Sequence, residues 1–82
     1  MIAERRNPRE LHLRDLFLAD ARALHGVLTK AGEALSLTKM RGYAAGKLER
    51  WREEGLPYFA DFFKLYPDLF RLTRNNMFVE AA

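Results

Sequence analysis

The chain has 82 residues, a formal net charge of +3 and no cysteine. That length supports one small core near the limit of self-sufficiency, and the missing thiols exclude disulfides, thiolate nucleophiles and cysteine-based zinc sites. With 49% hydrophobic residues, among them six Phe, three Tyr and one Trp, the core is expected to be aromatic-rich and to need no staples.

Residues 1–6 (MIAERR) are expected to form a loose arm, and residues 7–82 one domain. Asn7, Pro8 and Glu10 then give a helix start: a side-chain cap, a proline in the first turn and an acid three residues after the cap. Leu13, Leu16, Phe17, Leu24, Val27, Leu28 and Ala31 recur at helical spacing, and Gly32 supplies a stop. A first helix over residues 8–31 follows.

The connector Ala34-Leu35-Ser36-Leu37 can supply a short strand, and Ser36 or Thr38 can cap a second helix. Met40, Ala44, Leu48 and Trp51 make its inward stripe, with Tyr43 and the Lys47 stem alongside. The Gly42–Gly46 pair weakens it, so a break near Gly46 into segments 38–45 and 47–54 is a reasonable alternative.

Gly55 ends that segment and Pro57 opens a third helix, where its missing N–H costs nothing. Phe59, Phe62, Phe63 and Tyr66 face one way, and Pro67 is expected to stop the helix. Burying three phenylalanines contributes on the order of 2 kcal/mol each, which puts the centre of the core here. Residues 69–73 and 77–80 read as strands joined at Asn75-Asn76, two residues that tolerate left-handed dihedrals. That register pairs Arg74 with Met77, Leu72 with Val79 and Arg71 with Glu80. The fold class is therefore mainly α with a small β-hairpin: a winged helix-turn-helix of three to four helices plus a C-terminal two-stranded wing.

No apolar run reaches the roughly 20 residues of a membrane span, and the N-terminus lacks the apolar centre of a secretory signal. A cytoplasmic domain without a membrane partner is expected. His12 and His25 have no ligand partner at metal spacing, and no Walker loop, G-x-S-x-G or nucleophile pattern occurs. Glu53 and Glu54 are adjacent, so a helix splays them. The reading is a non-enzymatic module with no cofactor, no metal and no small-molecule substrate.

Charge distribution points to a partner. Residues 39–52 carry Lys39, Arg41, Lys47, Arg50 and Arg52 against Glu49, a local +4; residues 53–70 carry −3. Such a dipolar surface suits an anion approaching from one side. Along one continuous helix Arg41 and Arg52 would share a flank about three turns apart, with Lys39 and Arg50 toward the other, a spacing that can follow backbone phosphates. Arg74 adds a basic residue at the hairpin tip, whereas Arg71 has Glu80 opposite it. The candidate nucleic-acid contacts are thus Lys39, Arg41, Lys47, Arg50, Arg52 and Arg74, each also open to the plainer reading of a solvated surface charge. Trp51 and Tyr43 are either base-stacking platforms or packing residues, and their spacing favours packing. A protein interface is the alternative, through the small flat face of Gly42, Ala45 and Gly46 and through Phe78, the candidate exposed aromatic on the hairpin.

The run Leu37–Leu72 resembles the LOTUS domain, also called the OST-type helix-turn-helix. The matching features are Leu37 and Met40 opening the second helix, the aromatic Tyr43, Gly46, Gly55, the frame Leu56, Phe59, Phe62 and Phe63, and the tail Pro67-Asp68-Leu69-Phe70-Arg71-Leu72. The first helix fits from Phe17 to Gly32, and the same pattern is similar to the N-terminal region of Egalitarian-like proteins. The charged stretch Lys47–Glu54 departs from the family's more extended segment there. The run to Ala82 also lacks the further C-terminal helix with which the extended subtype binds a Vasa-type DEAD-box helicase. The resemblance implies the minimal subtype: RNA binding, with G-rich or G-quadruplex RNA as a preferred class, in an RNA-regulatory protein of cytoplasmic ribonucleoprotein granules. It also keeps helicase docking or self-association as an alternative, and carries over no catalytic residue.

Overall fold

A computed structural model of the chain describes residues 8–56 and 58–82. The expected arm, the Asn7 cap and the helix opening at Pro57 lie outside the described residues. Five helices and three short strands follow in the order α1 (Pro8–Leu16), α2 (Leu18–Ala31), β1 (Leu35–Ser36), α3 (Leu37–Tyr43), α4 (Leu48–Glu53), α5 (Phe59–Lys64), β2 (Phe70–Thr73) and β3 (Phe78–Ala81). The molecule is mainly helical with one antiparallel sheet in the order β1-β3-β2.

The first helix is not continuous. Phe17 leaves helical geometry (φ −107°, ψ 16°) and divides it into α1 and α2. Neither proline nor glycine sits there, so local sequence carries no sign of the break. The cause is tertiary: Phe17 is fully buried against Trp51 and Phe62, while α1 is tied to the end of α5 by Arg14, which donates to the Leu65 carbonyl and pairs with Asp68 at 3.3 Å. α2 lies against β3 instead. It ends as its sequence requires, on a left-handed Gly32 whose N–H bonds the Leu28 carbonyl. Ala31, placed on the apolar stripe by spacing, is exposed.

Ser36 both closes β1 and caps α3, its side chain accepting from the Lys39 N–H at 3.1 Å. The basic helix then breaks near Gly46, which takes a left-handed φ of 88° that favours glycine. Thus α3 and α4 are two short helices, and three to four helices become five. α5 stops at Lys64, three residues before Pro67: the N–H groups of Leu65 and Tyr66 turn back to Phe62 and Phe63 in tight i→i+3 bonds.

The hairpin register is the one the sequence specifies, with Arg71 opposite Glu80 and Leu72 opposite Val79. The ladder ends at Thr73–Phe78, so Arg74 and Met77 belong to the turn. Three successive residues, Arg74, Asn75 and Asn76, have positive φ there (51°, 57° and 66°). The two-stranded wing is also extended: β1 pairs with β3 through Leu35–Val79 and Ser36–Phe78. The Leu37 N–H, bonded to the Met77 carbonyl, continues that ladder into α3.

One aromatic core joins these layers. Trp51 and Phe62 stack with centroids 3.9 Å apart, and Phe17, Phe59, Phe63, Tyr66 and Phe70 surround them, all buried. The phenylalanine-lined segment after Gly55 is therefore interior.

Candidate nucleic-acid interface

The break at Gly46 re-aims the basic block. Arg41 from α3 and Arg52 from α4 line one recess of about 90 Å³, together with Leu48, Trp51, Leu56, Tyr58 and Phe59. No carboxylate lines it. Arg41 is held over the Phe59 ring at 5.9 Å, a cation–π contact that leaves the edge of the guanidinium fork available. Neither arginine forms an ion pair among the described residues. Tyr58 stands at the recess, 72% exposed. It has extended backbone geometry just before α5, and its ring meets no other ring among the described residues.

Lys47 and Arg50 turn elsewhere. Asp20 of α2 accepts from the Trp51 indole N–H at 3.1 Å, and its other oxygen lies 3.5 Å from the Lys47 ammonium. Lys47, expected as a free phosphate contact, is thus half-buried and partnered, because the α3–α4 break sets it beside an acid on another helix. Arg50 is exposed but lies over the Phe17 ring at 5.5 Å, against the α1–α2 junction. Lys39 is exposed in the first turn of α3. Arg74 is exposed at the hairpin tip, its guanidinium 4.8 Å from the Phe78 ring. The six cations therefore do not form one flank: Arg41 and Arg52 meet, Lys47 is paired with Asp20, Lys39 and Arg50 lie on α3 and α4 but outside the recess, and Arg74 stands on the hairpin.

Trp51 is a packing residue, 1% exposed. Tyr43, expected beside the inward stripe, is exposed instead. Phe78 is half-buried under Arg74 and is not the exposed aromatic its strand position implied; the exposed apolar side chain of the hairpin is Met77 in the turn. Gly42, Ala45 and Gly46 are exposed, and a Cβ on either glycine would meet nothing within 4 Å, so no neighbouring element among the described residues presses on the two glycines. Sequence spacing sets Tyr58 outward, out of phase with the stripe of Phe59, Phe62 and Phe63, but gives no sign that it joins the basic residues.

Two larger hollows differ in charge. One of about 460 Å³ between α2 and the C-terminal end of β3 includes Glu33, Glu80 and His25. Another of about 350 Å³ between α1 and α5 balances Arg9 and Lys64 against Glu10 and Asp61. Among the described residues no group of three or more His, Asp or Glu converges as metal ligands, and no helix is long and apolar enough to cross a membrane.

Searches of protein-family models, of curated proteins and of solved structures find no match to this chain.

Proposed function

We propose that this domain is a non-catalytic RNA-binding module of the winged-helix, LOTUS-like type, and that the Arg41–Arg52–Tyr58 recess is its principal contact. The order of two helices, a strand, three helices and a hairpin, with a β1-β3-β2 sheet, supports the winged-helix assignment. The carrying observation for function is the pair of unpaired guanidiniums sharing a recess with no acid, beside an exposed tyrosine. A helix-in-groove DNA reader fits less well. The corresponding helix, α5, buries Phe59, Phe62 and Phe63 and leaves Lys64 as its one exposed charge, which is poor equipment for base edges.

Titration against G-rich, duplex and single-stranded RNA tests this. Micromolar affinity that falls steeply with salt is expected. The Arg41→Ala/Arg52→Ala pair should reduce the log–log salt slope by about 1.4, since each lost phosphate contact on a single strand is worth about 0.7. Absence of salt-sensitive binding to any of the three RNAs would sink the proposal.

The exposed Gly42–Ala45–Gly46 surface, with Tyr43 on the same helix end, favours a second reading, in which the module docks a helicase or a second copy. Sedimentation and pull-down of the Arg41→Glu/Arg52→Glu pair separate the two, because a protein complex indifferent to both changes supports docking.

A further inference from the structure

We infer that the recess between α3 and α4 receives one unpaired nucleotide, its base laid on the Tyr58 ring and its neighbouring phosphates on Arg41 and Arg52, so that the module selects single-stranded over duplex RNA. This deepens the RNA reading and rests on it.

Size gives the first reason. Sites that enclose a small molecule run to about 300–1,000 Å³. At about 90 Å³ this recess cannot bury a free nucleotide, so its occupant is a chain passing across its mouth. Charge gives the second. The two larger hollows both contain carboxylates, whereas this one is lined by two cations and apolar or aromatic groups only. Its lining therefore offers a phosphate chain two cations and no carboxylate.

The third reason is the pairing of ring with cations. Two arginines alone would hold any phosphate backbone, duplex included. A tyrosine 72% exposed at the same recess adds a flat apolar face whose burial is favourable. Inside a duplex both faces of every base are already stacked, so Tyr58 can gain that contact only from a base that is unpaired and splayed. The floor that carries the arginines is also pre-arranged. Arg41 is steadied over Phe59, and Arg52 sits on the same helix as Trp51, which is locked into the core by Asp20 and Phe62. Little ordering of that floor is required on binding.

Fluorescence anisotropy on the full chain tests the inference with three labelled probes at one ionic strength: an oligoadenylate, the same strand annealed to its complement, and a polyglutamate peptide. Single-strand binding should exceed duplex binding by about tenfold, and Tyr58→Ala should collapse that ratio toward unity. Tyr58→Trp should restore it. The salt slope should drop in the Arg41→Ala/Arg52→Ala pair and stay near the parent value in Tyr58→Ala. Tyr58 is exposed, so each variant should retain its thermal midpoint, and circular dichroism checks this. Equal affinity for single strand and duplex, or a ratio unmoved by Tyr58→Ala, overturns the inference while leaving RNA binding standing. Polyglutamate bound as tightly as the single strand also overturns it, marking a general anion site. No binding to either RNA also overturns the inference, and the parent proposal falls with it when G-rich RNA fails to bind as well.

Discussion

Asp20 is the residue on which the basic surface turns. One oxygen receives the Trp51 indole N–H and the other faces the Lys47 ammonium, tying α2 to α4 and removing one cation from the presented charge. Asp20→Ala leaves a buried donor without its partner, so we expect destabilisation of about 1–3 kcal/mol by urea denaturation. If the loss were nil, the indole N–H would have to find another acceptor. Tyr66 is a second such residue. It is fully buried and donates to the Arg14 carbonyl at 2.8 Å. Burial pushes its phenol up to about 12, against a smaller opposing pull from the Arg14 guanidinium. A folded value above the unfolded 10.0 means that the native state keeps a proton the unfolded chain has lost. Its contribution is therefore intact below pH 10 and is lost as pH rises from 10 toward 12, on the order of 2–3 kcal/mol in all. Tyr66→Phe should flatten that part of the stability curve, and denaturant midpoints measured at pH 9 and pH 11 would read it.

At the scale of elements, several end signals in the sequence were legible because they rest on a single residue's backbone preference, although α5 stops at Lys64, before Pro67. Gly32 and Gly46 adopt the left-handed geometry that their positions suggested, Ser36 caps α3, and Asn75 and Asn76 form the tip that sets the hairpin register. Phe17 carries no such preference, and its break came from burial against residues 34 and 45 positions away. Glycine inside a short helix gives a further test. Gly42 lies in α3 with open space where a Cβ would point, so Gly42→Ala should stabilise the domain by about 0.5–1 kcal/mol. A rise in the thermal midpoint would accord with this. A fall would mean that something outside this chain's own packing occupies that face.

Across the whole molecule, stability is concentrated in one aromatic cluster. Phe62 touches Phe17, Trp51, Phe63, Tyr66 and Phe70 in the ring network. Truncating such a residue costs about 3–5 kcal/mol, comparable to the net stability of a domain this small. Phe62→Ala should therefore be largely unfolded at room temperature, judged by loss of a cooperative circular-dichroism transition. The same cluster explains which parts of the site were readable in advance. That Arg41 and Arg52 are exposed cations follows from their phase on amphipathic helices, and that Arg74 is one follows from its place at the hairpin tip. That Arg41 and Arg52 share a recess with Tyr58 does not, because the three lie on separate segments brought together only by the Gly46 break and by α4 folding onto Phe59 and Phe62.

The order of the chain by itself determined the stop at Gly32, the break near Gly46, the buried phenylalanine face, the hairpin register and the positive surface, since each depends on side-chain type and spacing over a few neighbouring residues. Only the tertiary structure decided which cations stay available. Asp20 reaches Lys47 from another helix, Phe17 draws Arg50 to the α1–α2 junction, and an acid-free recess is left to Arg41, Arg52 and Tyr58. Coulombic and packing contacts between residues far apart in sequence have no local signature, so they are settled when the helices meet.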